Sequence, residues 1–202
     1  MTAALPLSRL KQMQRALEAQ NGLAPQPSVG QFLLTQEERQ RLSCSTVPEE
    51  VFVIDDPTDP LLGVFIAPEI LQQLRRPREL HDVAALDRYC VAFEGVSHFV
   101  YLAHRASEDR QVSLLELELQ AEVDKFVHLA SLFTDHAALF DRLFDKYSLR
   151  EGIDDECSAR YHTASRAAAQ FCYQWLRSPL QLERAREFFR QPLEGKLRLA
   201  IR

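Results

Sequence analysis

Residues 113–129 read SLLELELQAEVDKFVHL, a run in which apolar side chains recur around most of a helical circumference. This pattern predicts a helix that is buried on nearly every side. The run lies within residues 78–178, which contain no proline and only two glycines, whereas eight of the ten prolines precede residue 78. Because proline and glycine interrupt helices, we expect this span to be almost entirely helical.

Apolar residues at helical spacing predict the individual helices. Three of them are long and are joined by short turns, which favours an antiparallel bundle. A short amphipathic helix is also expected at Leu7–Ala19, and the S/T-x-x-E pattern of Thr35–Glu38 predicts another that ends near Leu42. The predicted helices of the proline-poor region cover residues 69–76, 79–107, 113–134, 136–148, 154–177 and 180–190.

Strand-forming residues occur in two short runs, 51–54 and 62–66, on either side of the turn-rich residues 55–60. This arrangement predicts an antiparallel β-ribbon. Residues 196–201 alternate apolar and mostly basic side chains, so they are a candidate third strand. The predicted fold class is therefore α+β and predominantly α, with three long antiparallel helices, shorter helices and a small ribbon.

The N-terminal part of the chain is predicted to be a separate segment. Asn21-Gly22 is expected to end the first helix, and the prolines at 25 and 27 are typical of a semi-rigid tether. We therefore predict two parts: residues 1–30, an amphipathic helix with its tether, and residues 31–202, a single helical globular domain with the ribbon.

Composition excludes several classes of function. The 202 residues include 24 basic and 29 acidic ones, a net charge of −5 that argues against nucleic-acid binding. The six glycines are too widely spaced for a glycine-rich phosphate loop, so no nucleotide cofactor is predicted. No apolar run approaches the ~20 residues that span a bilayer. The four cysteines form no C-x-x-C pair, so we expect a cytoplasmic protein with reduced thiols.

Polar residues interrupt the first two long helices where a bundle should be apolar. If the turn between these helices centres near residue 110, antiparallel packing brings together residues whose numbers sum to about 220. This rule predicts three pairs: Glu94 with Lys125, His98 with Glu122, and Tyr101 with Glu118. One interpretation is a ladder of ion pairs and hydrogen bonds that fixes the register of the helices, since buried charges are tolerated chiefly in pairs.

The other interpretation of the same cluster is a functional site. Glu94 and His98, like Asp124 and His128, stand four residues apart and so share a helix face, and facing helices can build metal sites from such pairs. Gly95, between Glu94 and His98, indicates close approach of another backbone or of a ligand, because glycine within a helix costs ~1 kcal/mol relative to alanine. Helix packing is the favoured cause. The candidate divalent-metal ligands are Glu94, His98, Glu122 and His128, and the candidate acid/base residues are His98, Glu122 and Glu94.

A third feature points to protein partners. Leu7, Leu10, Met13 and Leu17 form an apolar stripe on a helix too short to be stable alone, so the stripe must be buried. It could dock on its own chain, in the groove of a partner protein or on a second copy. From sequence we favour a non-enzymatic interaction or regulatory module in a larger assembly. The alternative is a metal-binding or acid/base enzyme around Glu94, His98 and Glu122.

Overall fold

A computed structural model describes residues 4–54, 61–80, 82–145 and 155–201 of the chain. The predicted class is confirmed: the fold is predominantly α, with a small antiparallel sheet. The chain forms two compact units. The first comprises Met1–Glu18 and Ala24–Glu108, and the second comprises Ala19–Leu23 and Asp109–Arg202. Compact units need not fold independently, so the predicted domain division at residue 30 stays a prediction.

Helices account for most of the described residues. The longest are α4 (Val83–Ser107) with 25 residues, α7 (Asp155–Leu176) with 22 and α1 (Ala4–Asn21) with 18, so the first helix is longer than predicted; α5 (Leu114–Ala130) has 17. Short 3₁₀ turns lie at Val29–Gln31 and Pro77–Glu79, and a π-helical turn lies at Asp141–Asp145. The elements are α1 (Ala4–Asn21), α2 (Gln36–Leu42), β1 (Glu49–Ile54), β2 (Leu61–Ile66), α3 (Pro68–Gln73), α4 (Val83–Ser107), α5 (Leu114–Ala130), α6 (His136–Phe140), α7 (Asp155–Leu176), α8 (Gln181–Arg190) and α9 (Leu193–Ile201).

The β-ribbon is the centre of the first unit. β1 and β2 pair antiparallel, as the sequence predicts, and the register places Val51 opposite Val64. The other edge of β2 is occupied by residues 32–34. The N–H of Val64 donates to the carbonyl of Phe32, and the carbonyl of Val64 accepts the N–H of Leu34, each at 2.8 Å. α4 packs against both strands, so this long helix lies on the ribbon.

The second unit is built around α5. As the apolar pattern predicts, all residues from Glu116 to Ala130 are buried. α7 packs along α5 and also contacts α8 and α9. Near the end of α7, Phe171 and Trp175 are buried, and the Phe171 ring lies 4.2 Å from that of Phe188 in α8. These aromatic residues are part of the hydrophobic core, since a helix with one apolar face must bury that face.

The helix ends follow the local chemistry of the sequence. Thr35 accepts the N–H of Glu38, whose carboxylate accepts the N–H of Thr35, so the predicted capping box is confirmed. Ser113 caps α5 by accepting the N–H of Glu116. Gly22 follows α1 at a φ of +66°, a left-handed conformation that glycine adopts without strain.

The predicted third strand is wrong, since residues 196–201 belong to α9. The buried residues of α9 are Gly195, Lys196, Leu199 and Ala200, which recur with the period of a helix. The alternation of apolar and basic residues misleads because Lys196 faces the interior. Two strands alone form the described sheet.

The segment after α1 lies against that helix and does not extend as a tether. Gln14 donates to the carbonyl of Pro27 at 2.9 Å and accepts the N–H of Val29 at 2.8 Å. Glu18 accepts the N–H of Gln26 at 2.9 Å. These polar side chains satisfy the backbone of a segment whose prolines prevent regular secondary structure.

Within the described residues, the structure offers no helix with the length and apolar character needed to cross a bilayer.

Candidate functional site

His98 lies at the centre of the most distinctive polar group in the first unit. It is on α4, in the part of the helix that packs on the ribbon, and only 4% of the residue is exposed. Phe99 and Val100 beside it are also buried. An imidazole in such surroundings needs polar neighbours, because burying a polar group without a hydrogen bond costs free energy.

One of these neighbours is Glu49, the first residue of β1. Its Oε1 atom lies 3.2 Å from Nδ1 of His98, and both side chains are nearly inaccessible to solvent. The position of Glu49 follows from the ribbon, since Glu49 pairs with Ile66 and the preceding carbonyl, of Pro48, accepts the N–H of Ala67 at 2.7 Å. The strand therefore carries a carboxylate to a fixed point on α4.

Gly95 makes room for this contact. A Cβ atom at Gly95 would lie 2.9 Å from Cγ of Glu49 and 3.1 Å from its Oε1. Another group does approach this glycine closely, but it is a side chain of the ribbon, whereas the sequence favoured the packing of another helix. Glycine at this position costs ~1 kcal/mol of helix stability relative to alanine, but it leaves space for the Glu49 carboxylate beside His98.

Glu94 adds a second carboxylate to the group. It precedes His98 by one helical turn, and a carboxylate oxygen of Glu94 lies within 4.8 Å of a ring nitrogen of His98. The predicted pairing of these two residues on one helix face is thus confirmed. An imidazole nitrogen with nearby carboxylate oxygens is a donor set suited to zinc, iron or manganese.

Glu122 and Lys125 form an ion pair on α5 in the second unit. The Lys125 ammonium lies 2.7 Å from Oε1 of Glu122, and 8% and 10% of the two side chains are exposed. Because the carboxylate of Glu122 is already paired with the ammonium of Lys125, Glu122 is poorly suited to bind a metal cation. The pairs predicted across the first two long helices, including His98 with Glu122, stay predictions.

His128 and Cys172 are buried in the second unit. Burial alone lowers the pKa of His128 to about 4, so its imidazole is neutral at pH 7. Burial also raises the pKa of the Cys172 thiol, and the nearby carboxylates of Glu122 and Asp124 raise it further. A protonated, fully buried thiol is a packing group and a poor nucleophile.

Two more polar groups of α5 have partners inside the second unit. Asp124 accepts hydrogen bonds from Gln20 and Asn21, each at 3.1 Å. Gln120 accepts a hydrogen bond from Lys196, which is fully buried and also donates to the carbonyl of Phe188 at 2.8 Å. Asp124 and Gln120 are therefore hydrogen-bonded within the second unit.

The apolar stripe of α1 is mostly inside the chain. Leu10, Met13 and Leu17 are buried, whereas 43% of Leu7 is exposed. Burial of three of the four residues is what docking on the chain itself requires. A partner could bind the whole stripe only after α1 had left this position.

Glu49 is the residue of this site that could not be identified from the sequence. Nothing in the run Glu49-Glu50 distinguishes the acid that meets His98 from the one that pairs with Arg39 at 3.2 Å. Gly95 is the signal that could have prompted a search for such a group. No known protein family, curated protein or solved structure matches this chain.

Proposed function

We propose that the first unit binds a divalent metal ion through His98 and Glu94. The observation that supports this proposal is the buried imidazole with two neighbouring carboxylates, Glu49 at its Nδ1 atom and Glu94 with an oxygen within 4.8 Å of a ring nitrogen. His98 and Glu94 would hold the ion. Such a centre can act as a Lewis acid or activate a bound water molecule.

The fit of these residues to a metal rests on their chemistry. A metal-bound histidine usually donates its second ring N–H to a carboxylate, which fixes the orientation of the ring. Glu49 stands where that carboxylate is needed. Metal-free acid/base chemistry by His98 is the alternative, since the same carboxylate would also orient a catalytic imidazole.

We expect the chain, purified without chelators, to hold close to one equivalent of zinc, iron or manganese, as measured by elemental analysis. His98→Ala should remove the metal. Adding metal to the metal-depleted wild-type protein should raise its melting temperature, and His98→Ala should abolish this increase. That increase has a thermodynamic basis, because a ligand at 100 times its Kd stabilises the folded state by about 2.7 kcal/mol.

His104→Ala is the matched control. His104 is on the same helix near its C-terminal end, where it contacts Glu108 at 3.7 Å. This variant should keep the metal. Protein without metal, whose melting temperature none of the three ions changes, would rule out the metal and leave acid/base chemistry as the function to test.

Protein interaction is the second candidate function, and we place both candidates in the cytoplasm. An open strand edge supports it. In the part of the chain that the structure describes, the backbone of residues 50–54 bonds only to β2, and 62% of Val53 is exposed. Every second residue of an edge strand turns its N–H and C=O away from its neighbour and can pair with another strand.

The residues of β1 favour a second copy of this chain as the partner. Antiparallel pairing of two β1 strands about Phe52 sets Phe52 against Phe52 and Val51 against Val53. It also keeps the acidic pair at Glu49 and Glu50 at opposite ends of the interface, whereas parallel pairing would bring like charges together. Short strands bury little area, so we expect a concentration-dependent dimer.

Val53→Lys should raise the Kd of this dimer at least tenfold in analytical ultracentrifugation, because a lysine on an edge strand opposes pairing. Val83→Lys is the control, since Val83 is 57% exposed at the start of α4 and lies outside the edge. A monomer at all concentrations, or equal effects of both variants, would contradict self-pairing through β1. Binding of a different protein to β1 would then be the remaining form of this candidate.

A further inference from the structure

We propose that Glu49 is a positioning residue that holds neutral His98 as the tautomer protonated at Nδ1. The nitrogen offered to a ligand is then Nε2. The choice of tautomer rests on the contact between Glu49 and His98 and does not require a bound metal. The binding role of Nε2 rests on the proposed metal function.

The chemistry of the two groups dictates the tautomer. An ionised carboxylate can only accept hydrogen bonds, and a neutral imidazole has one N–H and one nitrogen with a lone pair. Since Glu49 Oε1 lies 3.2 Å from Nδ1 of His98, the N–H must be at Nδ1 for this contact to be a hydrogen bond. The lone pair is therefore on Nε2.

The fold holds the carboxylate firmly at this position. Glu49 begins β1, and backbone hydrogen bonds fix the chain beside it, from Ala67 N–H to the Pro48 carbonyl and through the register with Ile66. Gly95 then admits the side chain, since any larger residue there would meet Cγ and Oε1 of Glu49. Ring orientation is thus set by the ribbon and by a glycine of α4, two parts of the first unit.

The test uses ¹⁵N NMR of the histidine ring nitrogens in the 202-residue, metal-depleted chain at neutral pH. The His98 signals are assigned by their loss in His98→Gln. Wild-type protein should show His98 with a protonated Nδ1 and an unprotonated Nε2. In Glu49→Gln the population with the proton on Nε2 should rise at least several-fold, because an amide can donate as well as accept.

Glu50→Gln is the matched control. It makes the same change one residue along β1, in an acid that pairs with Arg39 and does not meet His98. It should leave the His98 spectrum unchanged. In the metal-loaded chain, Glu49→Gln should weaken metal binding 10- to 100-fold, the usual effect of losing such a carboxylate, and Glu50→Gln should not.

Gly95→Ala provides a second variant that retains the Glu49 carboxylate. Its methyl group should displace that carboxylate and give the same change of tautomer, with near-UV circular dichroism reporting that the chain is folded.

The inference is overturned if wild-type His98 is protonated at Nε2 or at both nitrogens, or if Glu49→Gln leaves the tautomer unchanged. Absence of metal together with the expected tautomer would overturn only the proposed metal function. If the chain binds metal through His98 and Glu49→Gln does not change the affinity for the metal, only the positioning role is overturned.

Discussion

Lys125→Met is expected to lower the free energy of unfolding by about 3 kcal/mol or more, because it leaves the buried Glu122 carboxylate without the ammonium 2.7 Å away. Breaking a buried ion pair from one side is costly, since an uncompensated charge remains in a medium of low polarity. Methionine keeps most of the lysine volume, so the loss should reflect charge more than packing. Urea unfolding followed by circular dichroism measures the difference.

Two further variants separate the charge effect from other causes. Lys125→Met combined with Glu122→Leu should recover most of the lost stability, because both buried charges are then gone. Arg198→Met removes one partner of the exposed pair with Glu194, whose atoms are 4.0 Å apart, and should cost less than about 1 kcal/mol. A loss in Lys125→Met no larger than in Arg198→Met would contradict the importance of the buried pair.

The free energy of unfolding is expected to fall by as much as about 3 kcal/mol when the pH is lowered from 6.5 to 4, through the titration of His128 alone. Its pKa is lowered from 6.5 to about 4 by burial, so the unfolded chain takes up a proton in this interval that the folded chain resists. The contribution is fully present above pH 6.5, is lost as the pH falls, and levels off below pH 4. Unfolding in urea at a series of pH values measures this slope.

The comparison of two histidine variants isolates this contribution. His128→Gln should reduce the pH dependence between pH 6.5 and 4, whatever it does to stability at pH 7. His162→Gln should not, because His162 is exposed on α7. Equal slopes for wild type and His128→Gln would show that other groups cause the acid sensitivity.

Features of the fold with local causes could be predicted from the sequence. The distribution of proline places the helices, the capping box at Thr35 marks the start of α2, and strand-forming residues on both sides of a turn mark the ribbon. The strand expected at residues 196–201 fails for a non-local reason. Whether Lys196 faces solvent or the interior depends on acceptors in α5 and α8, which the local pattern does not contain.

The candidate site shows the same division between local and distant causes. Glu94 and His98 are one helical turn apart, so their proximity is a property of the helix and could be predicted. The contact between Glu49 and His98 joins residues 49 positions apart and depends on how α4 lies on the ribbon. Gly95 indicated the approach of another backbone or of a ligand, and the structure shows the side chain of Glu49 at this position instead. The ion pair of Lys125 with Glu122 is a local i,i+3 contact within one helix. The pairing rule considers only contacts between helices and therefore does not predict it.

The burial of Lys196 makes this residue an internal reporter of folding. Its ammonium is fully enclosed, with the Phe188 carbonyl at 2.8 Å and the centre of the Phe188 ring at 4.6 Å. Reagents that acylate amines therefore reach it only when the second unit opens, whereas Lys11 is exposed in the folded chain. The rate at which Lys196 is labelled, relative to Lys11, measures how often α8 and α9 separate under native conditions.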